Sequence, residues 1–145
     1  MARKQRDPTI RLALADPHGA ALYSHYTSGV LASEGSSITE GIGQGRVTAN
    51  LEGTPIDDAV RIDDAEIVRT GYELLYREGL FLGGTSGANV AAAVQLARQL
   101  GPGNTIVTIL CDGGHKYVSR FWNRDYLAQK GLAEHAATVS GIGAA

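Results

Sequence analysis

One cysteine, one methionine and one tryptophan occur among 145 residues. No apolar run approaches the roughly twenty residues that span a bilayer, so no membrane segment is expected. The lone Cys111 excludes an internal disulfide framework, and a free thiol suits a reducing compartment; a cytoplasmic location is the expectation. Charge of one sign is lacking too, since 13 basic residues stand against 15 acidic ones. That balance supplies no field for nucleic acid or for a membrane surface. Only MARKQR at the start is locally basic, and with no apolar stretch behind it this reads as a solvated end, not a signal peptide. Four histidines, His18, His25, His115 and His135, make no zinc-ligand spacing with the single cysteine, so no metal centre is expected. Trp122 and the tyrosines read as packing residues.

Glycine, by contrast, is abundant. Its 19 residues exceed an average composition and cluster around Gly41, Gly83, Gly113 and Gly141. Between these clusters the apolar pattern predicts alternating elements. Ile10 to Ala15 (IRLALA) reads as a strand ended by Asp16-Pro17-His18-Gly19. Leu22 to Thr54 shows few periodic apolar positions and is expected to be irregular, a length of loop that is usually functional or mobile. Ala59 to Ile62 reads as a second strand. Asp63 and Glu66 then form a capping box for a helix with its apolar face at Ile67, Val68, Leu74 and Leu75, closed by Gly79. Leu80 to Leu82 is a further strand candidate, Ser86 to Leu100 a helix stopped by Gly101-Pro102, and Thr105 to Leu110 (TIVTIL) a last strand. Strand, helix, strand, helix, strand implies right-handed crossovers and a parallel sheet. Asn123 caps a final helix over Arg124 to Lys130, ended by Gly131, and residues 133–145 are expected to be a disordered tail.

The segment Glu78 to Val90, EGLFLGGTSGANV, is the most informative part of the chain. It joins a short apolar strand to a helix through glycines, and places Thr85 and Ser86 at the helix start. Hydroxyls and free backbone N–H groups at such a turn can bind a ligand or simply cap the helix. Cys111 and Asp112 end the last strand beside this turn. From spacing alone Cys111 has two readings, a nucleophile with His115 as its base and a small buried packing residue.

Four segments, DPTIRLALADPHGAALY, GSSITEGIGQGR, EGLFLGGTSGANVAAA and VTILCDGGHKYVSRFWN, occur in an order and spacing that resembles the cysteine synthase group of fold-type II pyridoxal-phosphate enzymes, which includes O-acetylserine sulfhydrylase and cystathionine β-synthase. The resemblance runs from about Thr9 to Leu132. It implies an α/β fold in which residues 1–132 are the C-terminal part of the larger domain, an incomplete parallel sheet flanked by helices as in tryptophan synthase β. It implies pyridoxal 5'-phosphate as cofactor and a small amino-acid substrate. By resemblance, the hydroxyl of Thr85 meets the pyridine nitrogen; a neutral hydroxyl leaves that nitrogen unprotonated, a milder electron sink suited to β-elimination and β-replacement. Ser86 would cap the helix. EGIGQG, Glu40 to Gly45, matches the glycine loop at the active-site mouth, where Gly41 and Gly43 let the backbone approach the cofactor. Cys111 is placed with them as a cofactor-site residue by its position; the family uses no cysteine nucleophile there.

Two family elements are not found. Lys4, Lys116 and Lys130 are the only lysines, and none stands in the context of the lysine that binds the cofactor covalently. No segment resembles the phosphate-binding loop. The expectation is therefore the C-terminal part of a cysteine synthase, inactive alone, partnered by the N-terminal half or an intact homologue and dimeric in the full enzyme. A cystathionine β-synthase-type fragment and a non-catalytic fragment that associates with an intact family member are the alternatives.

Overall fold

The computed structural model describes residue 4 and residues 6–137. Its sheet, among these residues, is one parallel pair: β1, Ala13–Pro17, lies beside β2, Asp58–Ile62, with Ala13 opposite Asp58 and Pro17 opposite Ile62. β2 falls where the apolar run placed it. β1 begins three residues later than Ile10 because Asp57 occupies the backbone before it. Leu12 donates its N–H to the Asp57 carboxylate at 2.7 Å and accepts from the Asp57 N–H at 2.8 Å.

The stretch from Leu22 to Thr54 is not irregular throughout. A short helix, α1, spans Leu22–Ser28. Buried Asp16 at the end of β1 accepts the Tyr23 N–H at 2.8 Å, which satisfies an amide of the first helical turn. Gly29, at φ 75°, closes the helix. Its sequence, LYSHYTS, is poor in strong helix formers, and Thr27 and Ser28 bond back to the carbonyls of Tyr23 and Ser24. The helix thus depends on Asp16, a tertiary neighbour that periodicity does not reveal. Residues 30–57 contain no helix or strand.

α2, Asp64–Glu78, follows the capping signal closely. Asp63 Oδ1 accepts the Glu66 N–H at 2.7 Å and Gly79, at φ 70°, ends the helix. The reciprocal half of the capping box is not made; Glu66 instead takes a 2.6 Å hydrogen bond from Gln95 on the next helix. That helix, α3, spans Gly84–Leu100 and ends at Gly101 as expected, but starts two residues before Ser86 with Gly83 at its cap. Ser86 is therefore inside the helix and does not cap it.

Two expected strands are corrected. Leu80 to Leu82 reduces to an isolated bridge in which Leu82 meets Gly113, and the bridge is antiparallel. Thr105 to Leu110 forms no strand, and Val107 and Ile109 are 78% and 72% exposed. The apolar composition of TIVTIL is that of a strand buried on both faces. A strand also needs a neighbour along its edge, and among the described residues this one has none. After a 3₁₀ turn at Gly114–Tyr117, α4 spans Arg124–Gln129, with Asn123 Oδ1 accepting from Asp125 and Tyr126 as its cap. Residues 133–137, expected in a disordered tail, form a short helix, α5; the remainder of that tail lies outside the described residues.

The core is built around fully buried Ile62, Ile67, Val68 and Leu127, with Ala88, Ala91 and Ala92 of α3 packed against them. α2 and α3 come into backbone contact. A Cβ on Gly87 would lie 2.7 Å from the carbonyl oxygen of Ile67, and one on Gly71 would lie 2.7 Å from the Phe121 ring. Tyr72, 3% exposed, stacks against Trp122 with ring centroids 4.7 Å apart, and the Trp122 indole donates to the Leu82 carbonyl at 3.0 Å. Trp122 is thus a packing residue, as read from sequence.

Because the atom facing Gly87 is backbone, Gly87→Ala forces the two helices apart. A loss of about 1–3 kcal/mol is expected, measured as a lower midpoint of urea unfolding. Gly45→Ala, whose added Cβ meets open space, is expected to leave the midpoint unchanged.

Candidate functional site

Gly83 and Gly84 lead into α3 beneath two aromatic rings. A Cβ on Gly83 would lie 2.4 Å from the Tyr117 ring and one on Gly84 3.1 Å from the Phe121 ring, so this turn accepts no larger residue without moving a ring. Thr85 follows in the first helical turn, half-buried, and its Oγ1 donates to the Glu40 carbonyl at 3.0 Å. Gly41 stands beside it: its φ of 85° favours glycine, and a Cβ there would lie 3.9 Å from Thr85 Oγ1. The glycine loop and the helix start therefore meet. Glu40 holds the loop in place twice, through its carbonyl to Thr85 and through its carboxylate to Arg120.

Gly43 serves a different surface. At φ 87°, it packs where a Cβ would lie 3.0 Å from Pro17 and 3.1 Å from Ala20, at the carboxyl end of β1. Gln44 accepts the Ala21 N–H at 2.9 Å. A cavity of about 290 Å³ opens here, bordered by His18, Gly19, Ser36, Thr39 and Gly43. The loop thus runs from the end of β1 to the amino end of α3.

The two adjacent hydroxyls divide their work. Ser86 is fully buried and accepts the Cys111 N–H at 2.8 Å, which ties the segment after residue 110 to α3. Cys111 itself matches neither reading drawn from its spacing. Its thiol is exposed, lying 3.6 Å from Asn89 Nδ2 and 3.8 Å from the Ile109 carbonyl. His115 packs edge-on against Phe81 with centroids 5.0 Å apart and does not bond to the thiol. Cys111 does lie on the Ser86 side of the turn, one residue along the helix from Thr85.

Sequence reasoning missed the polar cluster behind the turn. The Tyr117 hydroxyl donates to the Asp112 carboxylate at 2.8 Å, and Lys116 adds a bond at 3.2 Å. The bond from Tyr117, with Lys116 assisting, holds the Asp112 carboxyl below its ordinary range; the same bond to Asp112 pushes the Tyr117 phenol up. The i, i+4 spacing of Asp112 and Lys116 was the available signal. Nothing in the sequence joined Glu40 to Arg120, which are 80 residues apart.

Chemically, the site offers one neutral hydroxyl at a helix start, flanked by a glycine backbone. That set fits the nitrogen of a flat heteroaromatic ring, with which the Thr85 hydroxyl can exchange its present bond to Glu40. It supplies no amine. Lys116 pairs with Asp112, Lys4 with Asp57, and Lys130 lies over the Tyr126 ring, its Nζ 5.7 Å from the centroid.

A family model described as pyridoxal-phosphate dependent enzyme matches residues 1–112. Cysteine synthase 1 of Neurospora crassa is 45% identical over 127 residues, which are 85% of this chain and 34% of that protein. Cysteine synthase of Dictyostelium discoideum is 40% identical over 134 residues, 86% of this chain and 35% of that protein. Among solved structures, an O-acetylserine dependent cystathionine β-synthase from Helicobacter pylori superposes with a TM-score of 0.71 at 32% identity, covering 81% of this chain and 36% of that one. The chain spans about a third of the length of the relatives it matches.

Asp112→Ala removes the hydrogen-bond acceptor, and with it the charge, that raise the Tyr117 phenol. In an ultraviolet pH titration the variant is expected to ionise Tyr117 at lower pH than the parent, with Tyr117→Phe identifying which transition has moved.

Proposed function

This chain belongs to the pyridoxal-phosphate dependent enzymes, and we propose that within them it forms the part of a cysteine synthase that meets the pyridine ring of the cofactor. The observation that carries the proposal is the position of Thr85. Its hydroxyl stands at the start of α3, beside Gly41, and is held by a single hydrogen bond to the Glu40 carbonyl. With the cofactor in place, that hydroxyl would donate to the ring nitrogen instead of the carbonyl. A net change of one hydrogen bond for another keeps the contribution modest, about 1 kcal/mol.

Bound pyridoxal phosphate supplies an electron sink for chemistry at the β-carbon of an amino acid. The residues of this chain orient it. Thr85, uncharged, would leave the ring nitrogen without a proton; Gly41 would let the loop backbone lie alongside; the pair of Glu40 with Arg120 would hold that loop. The assembled activity is β-replacement on O-acetylserine by sulfide, giving cysteine and acetate. The relatives named cysteine synthase, at up to 45% identity, support this choice. The Helicobacter pylori structure favours a second reading, a cystathionine β-synthase that also takes O-acetylserine.

Since no lysine of this chain lies at Thr85, the covalent attachment and the phosphate contacts come from polypeptide outside it, and activity requires assembly, with a dimer as the complete enzyme. Mixed with pyridoxal phosphate and the unmatched two-thirds of the Neurospora crassa cysteine synthase 1 polypeptide, the chain is expected to develop the visible absorbance of bound cofactor. Thr85→Ala should weaken that binding about fivefold, the equivalent of ~1 kcal/mol, and Thr85→Ser should restore it. An unchanged affinity and spectrum in Thr85→Ala would refute the assignment.

A further inference from the structure

Two neighbouring carboxylates at the amino end of α2 do different work. Asp63 caps the helix by accepting the Glu66 N–H. Asp64, half-buried, reaches away from its own helix to the loop that carries the glycines. One of its oxygens accepts the Ser37 hydroxyl and the other accepts the Ile38 N–H at 2.9 Å. Ser37 Oγ, its proton given to Asp64, accepts in turn from Thr39, from the hydroxyl at 2.8 Å and from the N–H at 3.1 Å. Thr39 is thereby set against the turn into α3, where its Cγ2 lies 3.5 Å from the place a Cβ on Gly84 would take. The next carbonyl along the chain is that of Glu40, the acceptor of the Thr85 hydroxyl.

Beyond Thr39 the loop has little to hold it. The N–H groups of residues 40–43 make no hydrogen bond among the described residues, and the next main-chain tie is at Gln44, whose carbonyl accepts from Ala21. Glu40 therefore hangs directly from the Asp64 anchor, whose hydrogen bonds to a carboxylate are of the stronger kind. Its own side-chain pair with Arg120 lies at the surface and is the weaker hold. A β-branched side chain is stiff at χ1 and occupies a few staggered wells. The Thr85 hydroxyl is thus turned either toward the loop or away from it, and an acceptor fixed 3.0 Å away on the loop side selects the first.

We propose that Asp64 is a positioning residue for Thr85: by fixing residues 37–39 it holds the Glu40 carbonyl where that carbonyl keeps the Thr85 hydroxyl in the rotamer that faces the cofactor. The proposal rests on the function proposed above, which places the pyridine ring on the loop side of Thr85. Exchange of the carbonyl for the ring nitrogen then needs only a rotation of the O–H bond, with χ1 unchanged.

In the chain alone, three-bond couplings to the Thr85 methyl group are expected to report one χ1 rotamer in the parent and an average of rotamers in Asp64→Ala. Amide exchange at Ile38 and Thr39 should quicken by about tenfold or more in that variant, with the interior amides of α2 and α3 protected as in the parent. Asp64→Asn, whose side-chain oxygen can still accept from Ile38, should restore the single rotamer. In the mixture with pyridoxal phosphate and the unmatched two-thirds of Neurospora crassa cysteine synthase 1, Asp64→Ala should weaken cofactor binding about threefold, with no further loss when Thr85 is already alanine. A single Thr85 rotamer in Asp64→Ala despite open Ile38 and Thr39 amides, or an equal loss of affinity in the Thr85→Ala background, would reduce Asp64 to a structural role and overturn the inference. Should Asp64→Ala expose the α2 amides, Ser37→Ala, which removes the hydroxyl between Asp64 and Thr39 without touching α2, is judged by the same two criteria. Averaging of the Thr85 rotamer together with a cofactor affinity and spectrum indifferent to Thr85→Ala would uphold the positioning and overturn the proposed function.

Discussion

The close approach of α2 and α3 is the constraint on which the described structure depends. Gly87 meets the Ile67 carbonyl, and Gly71 and Gly84 lie under the Phe121 ring, each at a separation that a Cβ would violate or strain. Glycine inside a helix costs about 1 kcal/mol relative to alanine. The contact offsets that cost by letting Ile67, Val68, Ala88 and Ala91 bury almost completely. It also places the amino end of α3, and so settles where Thr85 and Ser86 point.

Their separation follows from helix geometry. Adjacent residues on an α-helix project about 100° apart. With α3 pinned by its glycines, one hydroxyl turns into the protein, where Ser86 satisfies the backbone of Cys111, and the other turns toward the glycine loop at Glu40. A buried amide without its acceptor would cost more than the hydrogen bond itself is worth, so Ser86 is held by structure. Thr85 has no such obligation, because the carbonyl it meets belongs to Glu40, whose side-chain tie to Arg120 lies at the surface and is worth about 1 kcal/mol or less. The hydroxyl free to change partners is the one to which the proposed function assigns the ring nitrogen.

On the opposite side of α3 the same helix face is only partly covered. Fully burying an aliphatic side chain contributes about 1.5–3 kcal/mol, and at Val107 and Ile109 that contribution is largely unused. The turn at Thr85 and an open cleft beside residues 104–109 are thus joined through one element: α3 presents Thr85 at its amino end and lines the cleft along its length.

Local chemistry in the sequence was sufficient for several elements. Asp63 and Gly79 bound α2, Asn123 caps α4, Gly101 stops α3, and the motif around Thr85 together with EGIGQG identified the family and brought Gly41 to the helix start. These features are decided within a few residues, by caps, turns and glycine backbone. Tertiary structure alone decided the rest. α1 exists because Asp16 caps it from β1, Ser86 serves Cys111 in place of its own helix, and Glu40 finds Arg120 across 80 residues. The expected strands at residues 80–82 and 105–110 differ for the same reason: composition shows that a segment prefers to be a strand, whereas a strand forms only when a neighbouring backbone completes its hydrogen bonds.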